Sequence, residues 1–211
     1  MDYKYILWDW NGTLLDDVSA SLASVNDMLS ARGMPPLDIM KYRDCIGVPI
    51  EKFYRRVFDL ENEDYAQILR QYNEGYLYHL KDCTLAKGSR ELLERFRLSG
   101  CRQVIVSSSQ CDQLSENVNR YGVSSYFDAI LGASDYFATS KIERALGYLE
   151  SREPGKALVI GDLEHDAHMA DELGADCVLL TSGHEKLSRL MNSGAKVCSG
   201  MEEIEKMLFE S

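Results

Sequence analysis

The chain has little of what would tie it to a membrane, a disulfide framework or a polyanion. No apolar run approaches the ~20 residues that a membrane-spanning helix needs. The opening Met1-Asp2-Tyr3-Lys4 passes straight into a strand-like run, without the basic region, apolar stretch and cleavage site of a secretory leader. A cytoplasmic address and no membrane partner are therefore expected. The six cysteines (Cys45, Cys83, Cys101, Cys111, Cys177 and Cys198) are scattered with no short paired spacing, so neither a zinc site nor a disulfide framework is suggested, and they read as reduced thiols. Positive charge is also scarce: 23 lysines and arginines stand against 34 aspartates and glutamates, a formal net charge of −11. A nucleic-acid or anionic-membrane partner needs a basic face to neutralise phosphates, which argues against both. An anionic ligand would have to be met by a metal and a few placed cations. Internal repeats, low-complexity tracts and linkers are missing as well, and 211 residues suffice for one large α/β domain or a larger domain with a small insert.

What is present begins with Tyr5-Ile6-Leu7-Trp8-Asp9-Trp10-Asn11-Gly12-Thr13-Leu14-Leu15. An apolar run of strand length empties into an acid, an amide, a glycine and a hydroxyl, as a buried parallel strand does when it delivers polar groups to its carboxyl end. Ligands of such sheets bind at that end. Asp9 would be a nucleophile or metal ligand at the tip, Gly12 would allow a sharp turn, and Thr13 and nearby amides would face an anion. A plain Asx turn closing the strand accounts for the same residues when they are taken alone.

The periodicities then run in order. A helical pattern from Asp16-Asp17 (Val18, Leu22, Val25, Leu29) ends near Gly33 and is stopped by Pro35-Pro36. From Leu37 to about Cys83 only helical patterns occur, one on Phe53, Val57 and Phe58 and one on Tyr65, Ile68, Leu69, Tyr72, Tyr76 and Leu80, which reads as a small helical insert. After Gly88 strands and helices alternate. A helix on Leu92, Leu93 and Phe96 leads to the strand Gln103–Val106 ending in Ser107-Ser108-Ser109. A helix from Leu114 to Tyr121, a strand at Ala129–Leu131 and a helix from about Thr139 to Glu150 follow. The strand Ala157–Ile160, closed by Gly161-Asp162, comes next, then a helix stopped by Gly174, and a strand at Cys177–Leu180. A helix near Glu185 to Met191, a weak strand at Lys196–Cys198 and a terminal helix from Met201 to Leu208 finish the chain. This alternation implies a doubly wound parallel sheet with right-handed crossovers.

Strand tips of such a sheet converge on one crevice, and here they carry different chemistry. Asp9, Ser107 and Asp162 end three strands, and Lys141, near a helix start, could bring a cation to the same rim. Asp162 and Asp166 would share one side of a first helical turn, and with Asp9 they make an oxygen-only site that suits Mg²⁺ better than zinc or copper. Singly, the acids also read as helix caps, Ser107 as another cap and Lys141 as a solvated surface residue.

Asp9-Trp10-Asn11-Gly12-Thr13, then Ser107 after an apolar strand, then Lys141, then Gly161-Asp162-Leu163-Glu164-His165-Asp166 resemble the four ordered motifs of the haloacid dehalogenase superfamily across nearly the whole chain. Ile46-Gly47-Val48-Pro49 and Lys87-Gly88 are similar to its phosphoglycolate-phosphatase-like branch. The resemblance implies an α/β core over residues 1–15 and 86–211 with a helical cap over 16–85, and a Mg²⁺-dependent phosphatase acting on a small phosphorylated substrate. Asp9 would form an aspartyl-phosphate. Asp9, the Asn11 backbone carbonyl and Asp162 would hold the metal, and Asp166 would join that set or anchor Lys141. Ser107, Lys141, Thr13 and Ser108 would bind the phosphoryl group, and Arg43, just before the Ile46-Gly47 turn, would lead the cap cations (with Lys52, Arg55 and Arg56) in meeting a second anionic group. The tyrosine stripe reads as cap core, and His79 and His184 as surface residues.

One position departs from the pattern. Phosphatases of this superfamily usually carry a second aspartate two residues after the nucleophile as general acid and base; here it is Asn11, which cannot carry a proton. Losing such a group costs about 10²–10⁴-fold in rate. A leaving group that departs unprotonated, such as an acyl phosphate, with Glu164, His165 or His168 as the later base, is one explanation. Dehalogenase or phosphonate chemistry is a second, although those members usually carry Tyr or Ala there. A weakened member that binds a phosphometabolite or a protein partner is the third. Transfer between sugar phosphates leans most on the missing acid.

Overall fold

The computed structural model describes residues 2–133 and 140–210. In chain order, β1 (Tyr5–Trp8) and the two-residue β2 (Leu15–Asp16) precede α1 (Val18–Ala31), α2 (Ile39–Cys45), α3 (Glu51–Val57) and α4 (Tyr65–His79), after which β3 (Thr84–Leu85) pairs antiparallel with β2. The remainder alternates through α5 (Ser89–Leu98), β4 (Arg102–Gln110), α6 (Cys111–Arg120), β5 (Ala129–Ala133), α7 (Lys141–Glu150), β6 (Ala157–Gly161), α8 (Glu164–Leu173), β7 (Asp176–Leu180), α9 (Leu187–Asn192), β8 (Lys196–Cys198) and α10 (Met201–Phe209).

The main sheet has the order β5-β4-β1-β6-β7-β8 with every neighbouring pair parallel, so the expected doubly wound α/β fold is what the chain forms. The chain builds outward from β1 on one side through β4 and β5, then returns to the other side with β6. The reversal falls beside β1, and a crevice opens at such a reversal. All four β1 residues are buried because helices cover both faces. Alternation sorts them: Ile6 and Trp8 pack with Ile105, Leu158, Ile160 and the α5 and α10 side, whereas Tyr5 and Leu7 pack with Val104, Val106, Val159 and the α7 and α8 side. Register places Trp8 level with Ile105 and Ile160. Asp9 is the next residue on β1, and Ser107 and Asp162 follow one position further on, after Val106 and Gly161.

Helices α1–α4 hold a separate apolar cluster of Val18, Val25, Met28, Leu29, Tyr42, Ile46, Phe53, Tyr54, Val57, Phe58 and Ile68. The chain enters and leaves this helical layer through the paired β2 and β3. Several boundaries differ from the sequence expectation for physical reasons. Strand β4 continues through the serines to Gln110, because its edges remain paired to β5 beyond Val106. The helix expected from Glu185 begins only at Leu187 and ends at Asn192. Residue Thr139, where a helix start was expected, lies outside the described residues, and α7 is described from Lys141. No described helix is long and apolar enough to cross a membrane.

Candidate active site

At the tip of β1 the Asp9 amide donates to the Ile160 carbonyl at 2.9 Å, so the backbone is still held as strand where the side chain turns into the crevice. Lys141 reaches it from the first turn of α7. That turn is fixed by a capping box in which Ser140 and Glu143 satisfy each other's backbone amides. The Lys141 Nζ donates to Asp9 Oδ1 at 2.7 Å and to Asp166 Oδ1 at 2.6 Å. All three side chains are buried, so the lysine expected alone to read as solvated surface is instead the central cation of the site. The other Asp166 oxygen accepts from the amides of Asp162 and Leu163 at 3.1 and 3.0 Å, which closes the start of α8. Asp166 is therefore both a helix cap and the anchor of Lys141. Asp162, fully buried, accepts from the Thr13 hydroxyl at 3.3 Å and from the His184 amide at 2.6 Å. Gly12 makes this approach possible: it sits at φ +71, and a Cβ there would strike Asp162 and His184.

Burial lifts the Asp9 carboxyl to about 6 against the pull of Lys141, with Asp166 adding to the rise. Burial also pushes Asp162 well above the carboxylate range, with Asp9 and Asp166 reinforcing it and His184 opposing. Burial alone would lower Lys141, but Asp166 and Asp9 outweigh it and hold its pKa above the usual value. The pattern is a buried excess of negative charge. Oxygens of Asp9, Asp162 and Asp166 come within 4.8 Å of one another, so a hard divalent cation fits the donor set. Both oxygens of Asp166 and of Asp162 already accept hydrogen bonds, but those of Asp166 include one from the Lys141 cation and those of Asp162 come only from the Thr13 hydroxyl and the His184 amide, so Asp162, with Asp9, is the better placed to take a cation. Replacing Lys141 with methionine removes the only cation bonded to Asp9 and Asp166 among the described residues and is expected to cost about 3–5 kcal/mol of stability. Thermal unfolding checks this; a melting point unchanged within a degree or two would refute it.

Ser107, one residue beyond the level of Asp9 on β4, is buried, and its Oγ accepts from the Ser109 amide at 3.1 Å. It does not cap α6; Gln110 does. Ser108 is exposed. Thr13 turns its hydroxyl to Asp162, and Arg43 donates to the Ser182 carbonyl at 3.2 Å. Arg55 pairs with Glu51 and Arg56 with the Cys45 and Ile46 carbonyls. His165 and His168 stand with ring centroids 6.3 Å apart on α8, and burial, with Lys141 beside it, holds His165 below its ordinary value.

The histidine that matters at position 11 is another one. Asn11 accepts from the Ser109 hydroxyl at 2.8 Å and donates to Asp17 Oδ2 at 2.8 Å and to the Tyr76 hydroxyl at 2.7 Å. Tyr76 in turn donates to Asp17 Oδ2 at 2.7 Å, and the Gly12 amide to Asp17 Oδ1 at 2.7 Å. His184 Nε2 lies 3.3 Å from Asp17 Oδ1, and its Nδ1 lies 2.9 Å from the Tyr42 hydroxyl. His184 is buried, not the surface residue expected, and Tyr76 is more than cap core because its hydroxyl ends in the site. The signal available for His184 was its position: it follows Gly183 just past β7, where residues beyond a parallel strand's carboxyl end face the crevice. Asp17 gave a weaker signal, an acid at a helix start.

Burial opposes both charges of the Asp17–His184 pair and is the largest single effect on each, but the opposing contributions together outweigh it. Asp17 is lowered, chiefly by His184, and His184 is raised to about 9, chiefly by Asp17. A histidine whose folded pKa is raised contributes stability that is fully present below its unfolded value and lost as pH rises through the folded one. Metal-free protein is thus expected to lose roughly 3 kcal/mol between pH 6.5 and about 9. Asp17→Asn should flatten that slope, which denaturant unfolding across the range checks.

The fold and this constellation define a hydrolase class built on a strand-tip carboxylate and a buried lysine, and comparisons with known proteins agree. Residues 6–180 match the family model described as haloacid dehalogenase-like hydrolase. The chain is 29% identical over 195 residues to a phosphoglycolate phosphatase of Rhodobacter capsulatus, covering 86% of this chain and 85% of that one. It is 28% identical over 196 residues to a phosphoglycolate phosphatase of Aquifex aeolicus, covering 88% of each. A solved haloacid dehalogenase-like family hydrolase from Streptococcus pneumoniae superposes with a TM-score of 0.82 at 20% identity over 99% of both chains, which speaks to the fold. The chain belongs to the haloacid dehalogenase-like hydrolase family, in its phosphoglycolate-phosphatase-like branch. It is an enzyme of the phosphoric monoester hydrolase kind.

Proposed function

We propose that the protein is a Mg²⁺-dependent phosphatase that hydrolyses a small phosphomonoester through an aspartyl-phosphate on Asp9. The observation that carries this reading is the Lys141 ammonium bonded to Asp9 and Asp166 beside Asp162, at the strand tip where the sheet order reverses. Asp9 would attack phosphorus with one oxygen, and a carboxylate nucleophile divides hydrolysis into two easier steps. Lys141 and the Ser107 hydroxyl would hold phosphoryl oxygens, which is the positioning and charge stabilisation that phosphoryl transfer chiefly asks of a protein. Asp9, Asp162 and the Asn11 backbone carbonyl would hold Mg²⁺, whose contribution is to neutralise charge on the phosphoryl group. Helices α1–α4 would act as the cap that excludes water from the crevice.

The Asn11 amide is bonded to Ser109, Asp17 and Tyr76 and carries no proton to give a leaving group. The substrates that suit it are those whose leaving group departs without one, an acyl or aryl phosphate ahead of an alkyl phosphate. The test is phosphate release from acetyl phosphate, 4-nitrophenyl phosphate and phosphoglycolate, with Mg²⁺ or with EDTA. Release that needs Mg²⁺ and falls in that order supports the reading. No release from any of them would favour a weakened member that binds a phosphometabolite or a protein partner. Mg²⁺ at 100 times its dissociation constant should also stabilise the fold by about 2.7 kcal/mol, read as a raised melting point without substrate. No shift at saturating Mg²⁺ would refute the metal assignment.

A further inference from the structure

Tyr42 belongs to the helical layer, yet its hydroxyl ends on a core residue. It lies on α2, buried and edge-on to Phe53 with ring centroids 5.6 Å apart. Its hydroxyl is 2.9 Å from His184 Nδ1, and the other ring nitrogen of His184 faces Asp17. The backbone amide of the same histidine is the donor that holds Asp162 Oδ2 at 2.6 Å. One residue thus joins the layer's hydroxyl to the orientation of the carboxylate read above as a metal ligand. Resting on the phosphatase reading of this site, we propose that Tyr42 is a positioning residue: by holding the His184 ring it fixes the 182–184 turn, and so the amide that orients Asp162, whenever the helical layer is seated.

The surrounding contacts make the seated position a defined one. Around the same turn, Lys186 pairs with Asp44 at 2.8 Å, Arg189 donates to the Asp44 and Ile46 carbonyls, and Arg43 donates to the Ser182 carbonyl. All of these groups lie at the rim, where single polar contacts are worth little. Tyr42–His184 is buried, as is the contact of the other ring nitrogen with Asp17 at the start of α1. Hydrogen bonds weaken steeply with distance and angle, so a lift of the layer by an ångström or two ends the hold of Tyr42 on the ring. Gly12 and Gly183 leave room for Asp162, whose other oxygen is held by the Thr13 hydroxyl at a longer 3.3 Å. Groups that orient a metal ligand from behind typically change metal affinity about 10–100-fold when removed.

Tyr42→Phe tests this, since it keeps the ring against Phe53 and deletes only the hydroxyl. Tyr72→Phe is the control, because Tyr72 lies in the same aromatic cluster but points its hydroxyl at Ser21. The first readout is hydrogen exchange at the His184 amide in metal-free protein, which depends on neither Mg²⁺ nor turnover. Exchange about 10-fold faster in Tyr42→Phe and unchanged in Tyr72→Phe is expected. The second is Mg²⁺ binding by calorimetry, with affinity about 10-fold weaker in Tyr42→Phe. In a His184→Asn background, Tyr42→Phe should have no further effect on either. Equal His184 protection in wild type and Tyr42→Phe would overturn the proposal, and so would equal loss in the two tyrosine variants, which would mean general loosening of the layer. Absence of phosphate release by wild type would instead sink the phosphatase reading and leave the exchange result standing.

Discussion

Asp9→Asn is expected to lower phosphate release by on the order of 10⁴-fold or more while making the metal-free protein more stable. The loss follows from chemistry: an amide oxygen is a poor nucleophile toward phosphorus, and the other carboxylate bonded to Lys141, that of Asp166, has both oxygens engaged. The gain follows from electrostatics. Asp9 is buried with its carboxyl raised to about 6, so at pH 7 the folded chain carries a charge it would hold more comfortably unfolded. A carboxyl whose folded pKa is raised destabilises the fold increasingly as pH climbs from the ordinary value through the raised one. Removing it should therefore return about 1–3 kcal/mol at pH 7, reduced by the lost bond to Lys141, which keeps Asp166. Phosphate release and thermal unfolding in EDTA measure the two effects on one sample. Full activity in Asp9→Asn would sink the nucleophile assignment; inactivity with a lowered melting point would show that Asp9 is structural.

That opposition between activity and stability also explains which parts of the site could be read in the sequence. Strand tips are legible because the signal is an abrupt change of polarity: Trp8 to Asp9, Val106 to Ser107 and Gly161 to Asp162 each pass from buried strand to crevice. The doubly wound order follows from the alternation that surrounds them. Lys141 is different. Helix periodicity gives no reason to bury a lysine at the first position of α7, and only the two carboxylates that arrive from β1 and α8 make it stable there. Tyr42, Tyr76 and His184 were hidden for a related reason. Tyr76 in its apolar stripe reads as packing, and Tyr42 belongs to no pattern at all; both do pack, but each hydroxyl reaches a partner far away in the chain. The β2–β3 ribbon, two residues on each side, is too short to carry any period.

Position 11 is where the two sources of information meet, and it supplies the second large effect. Asn11→Asp would install the aspartate that the superfamily resemblance implies at this position, yet it would set a carboxylate 2.8 Å from Asp17 Oδ2, where an amide N–H now donates. Two carboxylates that close cannot both ionise. The single substitution is expected to cost about 1–3 kcal/mol of stability and to gain little activity, because one carboxyl must hold its proton against the other. Asn11→Asp with Asp17→Asn reverses the pair: the amide introduced at position 17 could donate to the carboxylate introduced at position 11, while its oxygen still accepts from the Gly12 amide that Asp17 holds at 2.7 Å. The double variant should recover the part of the loss that comes from the carboxylate pair, but not the stability that the Asp17–His184 pair contributes. It should also raise release from an alkyl phosphate by about 10²–10⁴-fold, the usual contribution of a placed general acid, and raise it far less for an acyl phosphate. Steady-state rates on the two substrates, with thermal unfolding of all three variants, separate the possibilities. If Asn11→Asp alone gains the full rate without losing stability, Asp17 does not constrain position 11. If only the double variant gains it, the carboxylate of Asp17 is what keeps position 11 from serving as a proton carrier.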